Sequence, residues 1–437
     1  MDPLPRTLSS RDRSFSAQKI HGSHDIADGA TKVCLYSHDT FGLGHLRRNL
    51  AIADQLLRSD GRFAVWLLTG SPVIRQWTLP PGLRVQPLPP VVKTGAERYA
   101  SRQAGQPFGL TKGYREALIL KLVEEERPDV LLVDHAPAGM NGELLSTLAL
   151  IRNEMPRTRT VLGLRDILDE PSTVRRVWEE QEIPSLIEHA YDDVFVYGSE
   201  RLFDVVAGYG MAASLAQRVK YCGYVVGRSR FDQLHGRASG AVCWNPARAA
   251  GRPVVLVTAG GGGDGQFLMR AYVRALRAHR SSGFYTVIVT GPLMPADQSA
   301  ELHAAVAGRD DVDIVAYTTD LVPSIRHAAL VVSMAGYNTS VELLAARKKA
   351  ILVPRSAPRE EQRLRAKLLA DLGLCTYAEP GPDLVAALEH LVPAALAAAP
   401  PPDRLWDAVD LQGADRVVAE LDAVTADARG LRVRGVA

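Results

Sequence analysis

Histidine, paired charges and bare glycine backbone gather at a few places in this chain where a polar or negatively charged substrate can be held. The stretch "HDTFGLGHLRRNLAIADQLL", residues 38–57, sets Gly42 and Gly44 ahead of His45. Val33-Cys34-Leu35-Tyr36 before it reads as a buried strand, and Leu46, Leu50, Ala53, Leu56 and Leu57 after it recur at helical spacing. The turn therefore opens at the carboxyl end of a strand, the edge at which open α/β sheets bind ligands and a helix amino terminus offers free N–H groups. A tight turn also needs glycine for its own geometry, so these residues alone carry both readings. His45 is the first candidate for a base or for stabilising reacting groups, against a histidine that caps or packs. Asp134-His135 in "PDVLLVDHAPAG" and Arg165-Asp166 in "VLGLRDILDE" end two more strands of that edge. Either carboxylate can be the base or orient one, and Asp134 is preferred; strand-end acids also cap loops.

A second junction, "TAGGGGDGQFLMRAYVRAL" at residues 258–276, satisfies G-x-G-x-x-G through Gly260, Gly262 and Gly265. A dinucleotide site also wants an acid at the end of the next strand, and here that strand ends Val289-Thr290-Gly291-Pro292. No Lys-Ser or Lys-Thr follows the glycines, which excludes a Walker loop. What remains is backbone that lets a diphosphate approach, backed by a helix dipole. Farther on, a strand runs into Met334-Ala335-Gly336-Tyr337-Asn338 and a helix opens at Thr339-Ser340-Val341-Glu342. Thr-x-x-Glu is a capping box, so Glu342 either closes on its own helix or accepts ribose hydroxyls.

These residues require strands and helices that alternate. Strands are expected at 32–37, 63–69, 129–134, 160–164 and 193–197, then at 253–259, 285–290, 312–316, 329–333 and 350–353, the pattern of parallel sheets covered on both faces. Periodicity fails around 221–253, which divides the chain into a leader 1–30, a first domain 31–226, a linker 227–252, a second domain 253–402 and a helical tail 403–437. The stretch 91–113 reads as a structureless binding lid, with Lys93, Arg98, Arg102 and Lys112 against Glu97. The 437 residues, 46% apolar, suffice for two or three full cores, and a net charge of +2 gives no support to nucleic-acid binding. Cys34, Cys222, Cys243 and Cys375 lack metal-ligand spacing and look like reduced core residues. The leader has no secretory core, and no run of about 18 apolar residues is present. A cytoplasmic protein is expected, with at most peripheral contact with the inner membrane face.

Taken together, "FGLGHLRRNLAIADQLL", "TAGGGGDG" and "SMAGYNTSVELLAARKKAILVPRSAPREEQRLRAKLLADLGL" resemble glycosyltransferases of the GT-B architecture. The branch is the family 28-like one that contains the N-acetylglucosaminyltransferase of peptidoglycan-precursor synthesis. The resemblance spans roughly residues 31–385 and implies two tandem Rossmann-like, doubly wound α/β domains facing a cleft. It implies that Gly44, Gly260, Gly261, Gly262 and Gly263 face the donor diphosphate, with Gly336, Tyr337, Asn338 and Thr339 closing over it. By the same likeness Glu342 holds the donor ribose, backbone at Thr318 and Leu321 reads the base, and Glu361 and Gln362 contact the sugar. Met334 and Ala335 replace an arginine and a serine of that enzyme, while Arg355 and Ser356 precede the sugar contacts, so the donor sugar is left open.

The chemistry implied is transfer from a nucleoside diphosphate-sugar, a UDP-sugar by resemblance, to an acceptor hydroxyl, inverting and without metal or cofactor. His45 and Asp134 carry the proton transfer, and His135, Arg165 and Asp166 fall on the acceptor side. The acceptor, whether small molecule, glycan or lipid-linked, is not legible, and no nucleic-acid partner is expected. The alternatives are a nucleotide-sugar epimerase or hydrolase of similar architecture, and an inactive sugar-nucleotide-binding protein.

Overall fold

Two parallel sheets, each sandwiched between helices, make up the protein. The computed structural model describes residues 27–39, 44–95, 98–102, 105–227, 232, 240–278, 283–318, 320–355, 357 and 359–434. The leader to residue 26, Gly42, Glu97, Ser356 and residues 228–231 and 233–239 of the expected linker lie outside them. In the first domain β1 (Thr31–Ser37), β2 (Phe63–Thr69) and β3 (Arg84–Pro87) precede a hairpin of β4 (Val91–Gly95) and β5 (Arg98–Ser101). β6 (Val130–Asp134), β7 (Arg159–Arg165), β8 (Asp193–Tyr197) and β9 (Val219–Tyr221) follow. The sheet runs β3-β2-β1-β6-β7-β8-β9, parallel throughout.

The second domain holds β10 (Val254–Thr258), β11 (Tyr285–Val289), β12 (Val312–Val315), β13 (Leu330–Ser333), β14 (Ala350–Leu352) and β15 (Thr376–Tyr377). Their order is β12-β11-β10-β13-β14-β15, again parallel. Both sheets bury both faces, which is why their strands read as unbroken apolar runs. Val33 and Leu35 point into one core and Cys34 and Tyr36 into the other; Val255 and Val257 oppose Val254 and Leu256 in the same way.

The ten expected strands all form, shifted by at most a residue at their ends, while the short β3, β9 and β15 were not anticipated. The stretch 91–113 is not a structureless lid. Its first part is the antiparallel β4–β5 hairpin, and its last residues open the helix Phe108–Glu126, with Tyr99 stacked on Phe108 at 6.0 Å. Arg102 donates from Nε to the Val91 carbonyl at 3.2 Å and Lys112 pairs with Glu116 at 3.5 Å, while the side chains of Lys93 and Arg98 lie outside the described residues.

The tail divides into helices Asp403–Asp407 and Gly413–Arg434. The second returns to the first domain, where Val417, Leu421 and Val424 join the core beside the helix Gly44–Leu57. Gly413 makes that return possible, since a Cβ there would lie 2.6 Å from the carbonyl oxygens of Gly223 and Tyr224. Among the described residues no helix is long and apolar enough to cross a membrane, and the four cysteines are free thiols.

Candidate functional site

The carboxyl edges of both sheets face one cleft of about 280 Å³, room for a ligand rather than a lone water. On the first-domain wall, β1 leads into the helix Gly44–Leu57, so His45 stands in its first turn. Its Nδ1 lies 2.6 Å from Oδ2 of Asp134 at the end of β6. Arg48, one turn along, grips the other oxygen of that carboxylate from Nη2 at 2.6 Å and from Nε at 3.1 Å. Burial works against the charge of Asp134, but Arg48 and then His45 more than offset it and hold the carboxyl below its usual range. Burial also pulls His45 below its ordinary value; Arg48 and Arg165 add to this, and Asp134 opposes them. The site thus presents a neutral imidazole braced by an ionised carboxylate. The two residues expected to share the proton transfer are in direct contact. Sequence reasoning assigns no role to Arg48, which holds Asp134 ionised.

His135 follows Asp134 with a left-handed backbone (φ 71°), its ring 5.2 Å from that of His45 and 5.9 Å from that of His38. Its buried Nδ1 has no hydrogen-bond partner, and burial, followed by Arg165, keeps the ring well below its ordinary pKa. Among the described residues no group of three His, Cys, Asp or Glu side chains converges as metal ligands do. Arg165, at the end of β7, lines the cleft. Asp166 does not. Both its oxygens are taken by Arg365 of the second domain, Nη2 at 2.7 Å and Nε at 2.9 Å, in a fully buried fork, and the Tyr224 hydroxyl donates to it at 3.2 Å. The residue expected on the acceptor side is a tie between domains, because the β7 turn brings it under the helix Glu361–Asp371.

On the opposite wall the glycine turn joins β10 to the helix Gln266–Ala275. Gly260, Gly261 and Gly263 line the cleft, whereas Gly262 faces away. With φ 86° and a Cβ that would fall 2.0 Å from the Thr290 carbonyl oxygen, Gly262 is required by packing against the neighbouring turn, not by a ligand. The next wall segment starts two residues earlier than expected. The helix Tyr337–Ala345 has Gly336 as N-cap with no side-chain cap bond, so Thr339 and Glu342 form no capping box. Glu342 instead lies inside the helix, largely buried, lining the cleft with Oε1 3.8 Å from Arg47 Nη1.

Gly336, Tyr337, Asn338 and Thr339 all border the cleft, Asn338 donating to the Gly44 carbonyl at 3.3 Å, while the Tyr337 hydroxyl reaches into the domain interface. There it donates to the Tyr197 carbonyl at 2.9 Å and accepts from Val225 N–H at 3.3 Å, and the ring lies between the guanidinium groups of Arg48 and Arg365 at 5.3 and 5.8 Å. Thr318 closes its own loop onto the Asp320 carbonyl at 3.0 Å, and with Leu321 it borders the cleft. Glu361 and Gln362 border it too. Arg355 spans from Glu361 at 2.6 Å to Asp264 of the glycine turn at 2.7 Å, fixing the two segments to each other. Met334, one of the departures from the resembling enzyme, lines the cleft, and the Ala335 carbonyl accepts from Arg365 Nη1 at 2.8 Å.

Residues 254–403 match the glycosyltransferase family 28 C-terminal domain. No curated protein matches the chain. Among solved structures, MurG of Acinetobacter baumannii is similar with a TM-score of 0.54 at 13% identity, over 90% of this chain and 99% of that one. A UDP-glucosyltransferase from Polygonum tinctorium capable of glucosylating indoxyl gives 0.62 at 14%, over 91% and 99%. The calicheamicin glycosyltransferase gives 0.57 at 15%, over 90% and 98%. Identities so low speak to the fold, which is GT-B. Within that fold, residues 254–403 are a glycosyltransferase family 28 C-terminal domain.

Proposed function

We propose that this enzyme moves a sugar from a nucleoside diphosphate-sugar, with UDP as the expected carrier, to an acceptor hydroxyl, inverting the anomeric carbon and needing no metal. The observation that carries the reading is a single cleft lined on one wall by His45 and on the other by the glycine turn and Glu342. The diphosphate is assigned to Gly260, Gly261 and Gly263. The positive end of the helix Gln266–Ala275 there offsets the charge of the leaving group. Glu342 accepts the ribose hydroxyls, replacing its long contact with Arg47. Backbone at Thr318 and Leu321 meets the base, and Glu361 and Gln362 meet the sugar.

Asp134 can only accept a hydrogen bond, so His45 carries its hydrogen on Nδ1 and leaves the Nε2 lone pair for the acceptor hydroxyl. As the acceptor oxygen bonds to the anomeric carbon, its proton passes to Nε2 and the bond to the diphosphate breaks. Asp134, held ionised by Arg48, orients the ring and steadies the imidazolium rather than taking the proton itself. Residues 31–226 are assigned to the acceptor and 253–402 to the donor.

The test is a thermal-shift panel of nucleoside diphosphates on the wild type and on Glu342→Ala, since a ligand that binds only the folded state raises its Tm. One diphosphate should stabilise the wild type and lose its effect in the variant. Stabilisation by none of them would remove the donor site from this cleft.

A further inference from the structure

The cations around the cleft are paired with one exception among those that line it. Arg48 binds Asp134, Arg355 binds Asp264 and Glu361, and Arg47 approaches Glu342. Among the described residues nothing engages the guanidinium of Arg165, and its Nε is buried without a partner. Arg359, in the loop before the helix Glu361–Asp371, likewise has no ion pair among the described residues, and it acts on both Arg165 and His135. Burial and the neighbouring Arg48, Arg365 and Arg359, opposed by Glu361, bring Arg165 down to about 10. A half-buried guanidinium among like charges, with Glu361 in reach but no ion pair formed, opposes folding, and a ligand that pairs with it directly would relieve this.

The position of Arg165 narrows the ligand. It ends β7 in the strand next to Asp134, and it influences His45 on one side and Glu361 on the other. On the reading proposed above, that is where transferred sugar and acceptor meet, away from the glycine turn that takes the diphosphate. A guanidinium fork suits a carboxylate or a phosphate in two-point contact. We propose that Arg165, flanked by Arg359 and His135, is an anion-binding subsite for a carboxylate or phosphate carried by the transferred sugar or by the acceptor beside it. This rests on the glycosyltransferase reading of the cleft.

The experiment compares the full-length wild type, Arg165→Gln and Arg165→Lys by calorimetric titration with UDP, UDP-glucose and UDP-glucuronate, and with inorganic phosphate in the presence and absence of UDP. If the anion sits on the sugar, the wild type binds UDP-glucuronate about tenfold tighter than UDP-glucose, the size of one charge-assisted contact. Arg165→Gln loses that difference while binding UDP unchanged, and Arg165→Lys keeps part of it. If the anion sits on the acceptor, the two donors bind alike, and phosphate binds the wild type but not Arg165→Gln. Wild type and Arg165→Gln that respond identically to both UDP-glucuronate and phosphate overturn the subsite. Failure of UDP to bind, with the phosphate difference intact, would count against the donor reading and leave the subsite standing. The unliganded Arg165→Gln protein should melt no lower than the wild type, which separates loss of the subsite from loss of the fold.

Discussion

At the residue scale the proposed proton transfer rests on the cluster of His45, Asp134 and Arg48. Two opposing influences act on one imidazole: burial and Arg48 favour the neutral ring, and Asp134 favours the charged one, with the neutral form prevailing. A base must be deprotonated to work, so kcat/KM should rise with pH through a midpoint below 6.5, the ordinary histidine value, and be flat at neutral pH. Asp134→Asn removes the counter-charge and should move that midpoint down. Arg48→Met removes a cation and should move it up. His45→Ala should lower kcat by about 10²–10⁴-fold, the usual size of general-base catalysis. A pH–rate profile of the three variants decides the matter; a midpoint unmoved by either charge change would assign the base to another group.

At the scale of elements, the glycines of the cleft divide by what a methyl group would strike. Gly262→Ala would set a Cβ against the Thr290 carbonyl at a left-handed φ of 86°, and it should cost more than about 1 kcal/mol in denaturant unfolding. Gly336 has φ −63° and open space around its Cβ position. Gly336→Ala should leave stability within about 0.5 kcal/mol and weaken nucleoside diphosphate binding instead. Equal destabilisation by the two would show that the turn at Gly336 is also a packing device.

For the whole molecule the decisive contact is the buried fork between Arg365 and Asp166, with Tyr337 held between Arg365 and Arg48. The fork ties the second domain to β7, and the Tyr337 contact reaches, through Arg48, the carboxylate that holds His45. Asp166→Asn leaves a guanidinium buried without its charge and should cost about 3–5 kcal/mol in equilibrium unfolding. Arg365→Met combined with Asp166→Leu removes both charges and should recover most of that stability. A loss below about 1 kcal/mol for Asp166→Asn would place the fork among contacts that solvent screens.

The sequence by itself determined the two-sheet architecture and the edge on which the site lies. Strands buried on both faces must read as continuous apolar runs, and the turns that leave their carboxyl ends must hold the glycines and polar residues, so both were legible one segment at a time. His45, Asp134 and Glu342 could be nominated because each stands beside such a turn. Their partners could not, because the partners are far away in the chain. Asp166 and Arg365 are 199 residues apart, and Asp134 and Arg48 are 86 apart. The two-residue error at the start of the Tyr337–Ala345 helix has the same origin. Thr339 and Glu342 match a capping signal locally, but Tyr337 is drawn into the helix because its ring is buried between the domains. Pattern fixes what a residue can do within a few positions along its own strand or helix. Only the docking of one domain on the other decided that Asp166 ties the halves together, that Gly262 is there for packing, and that Arg165 faces the cleft with no ion pair among the described residues.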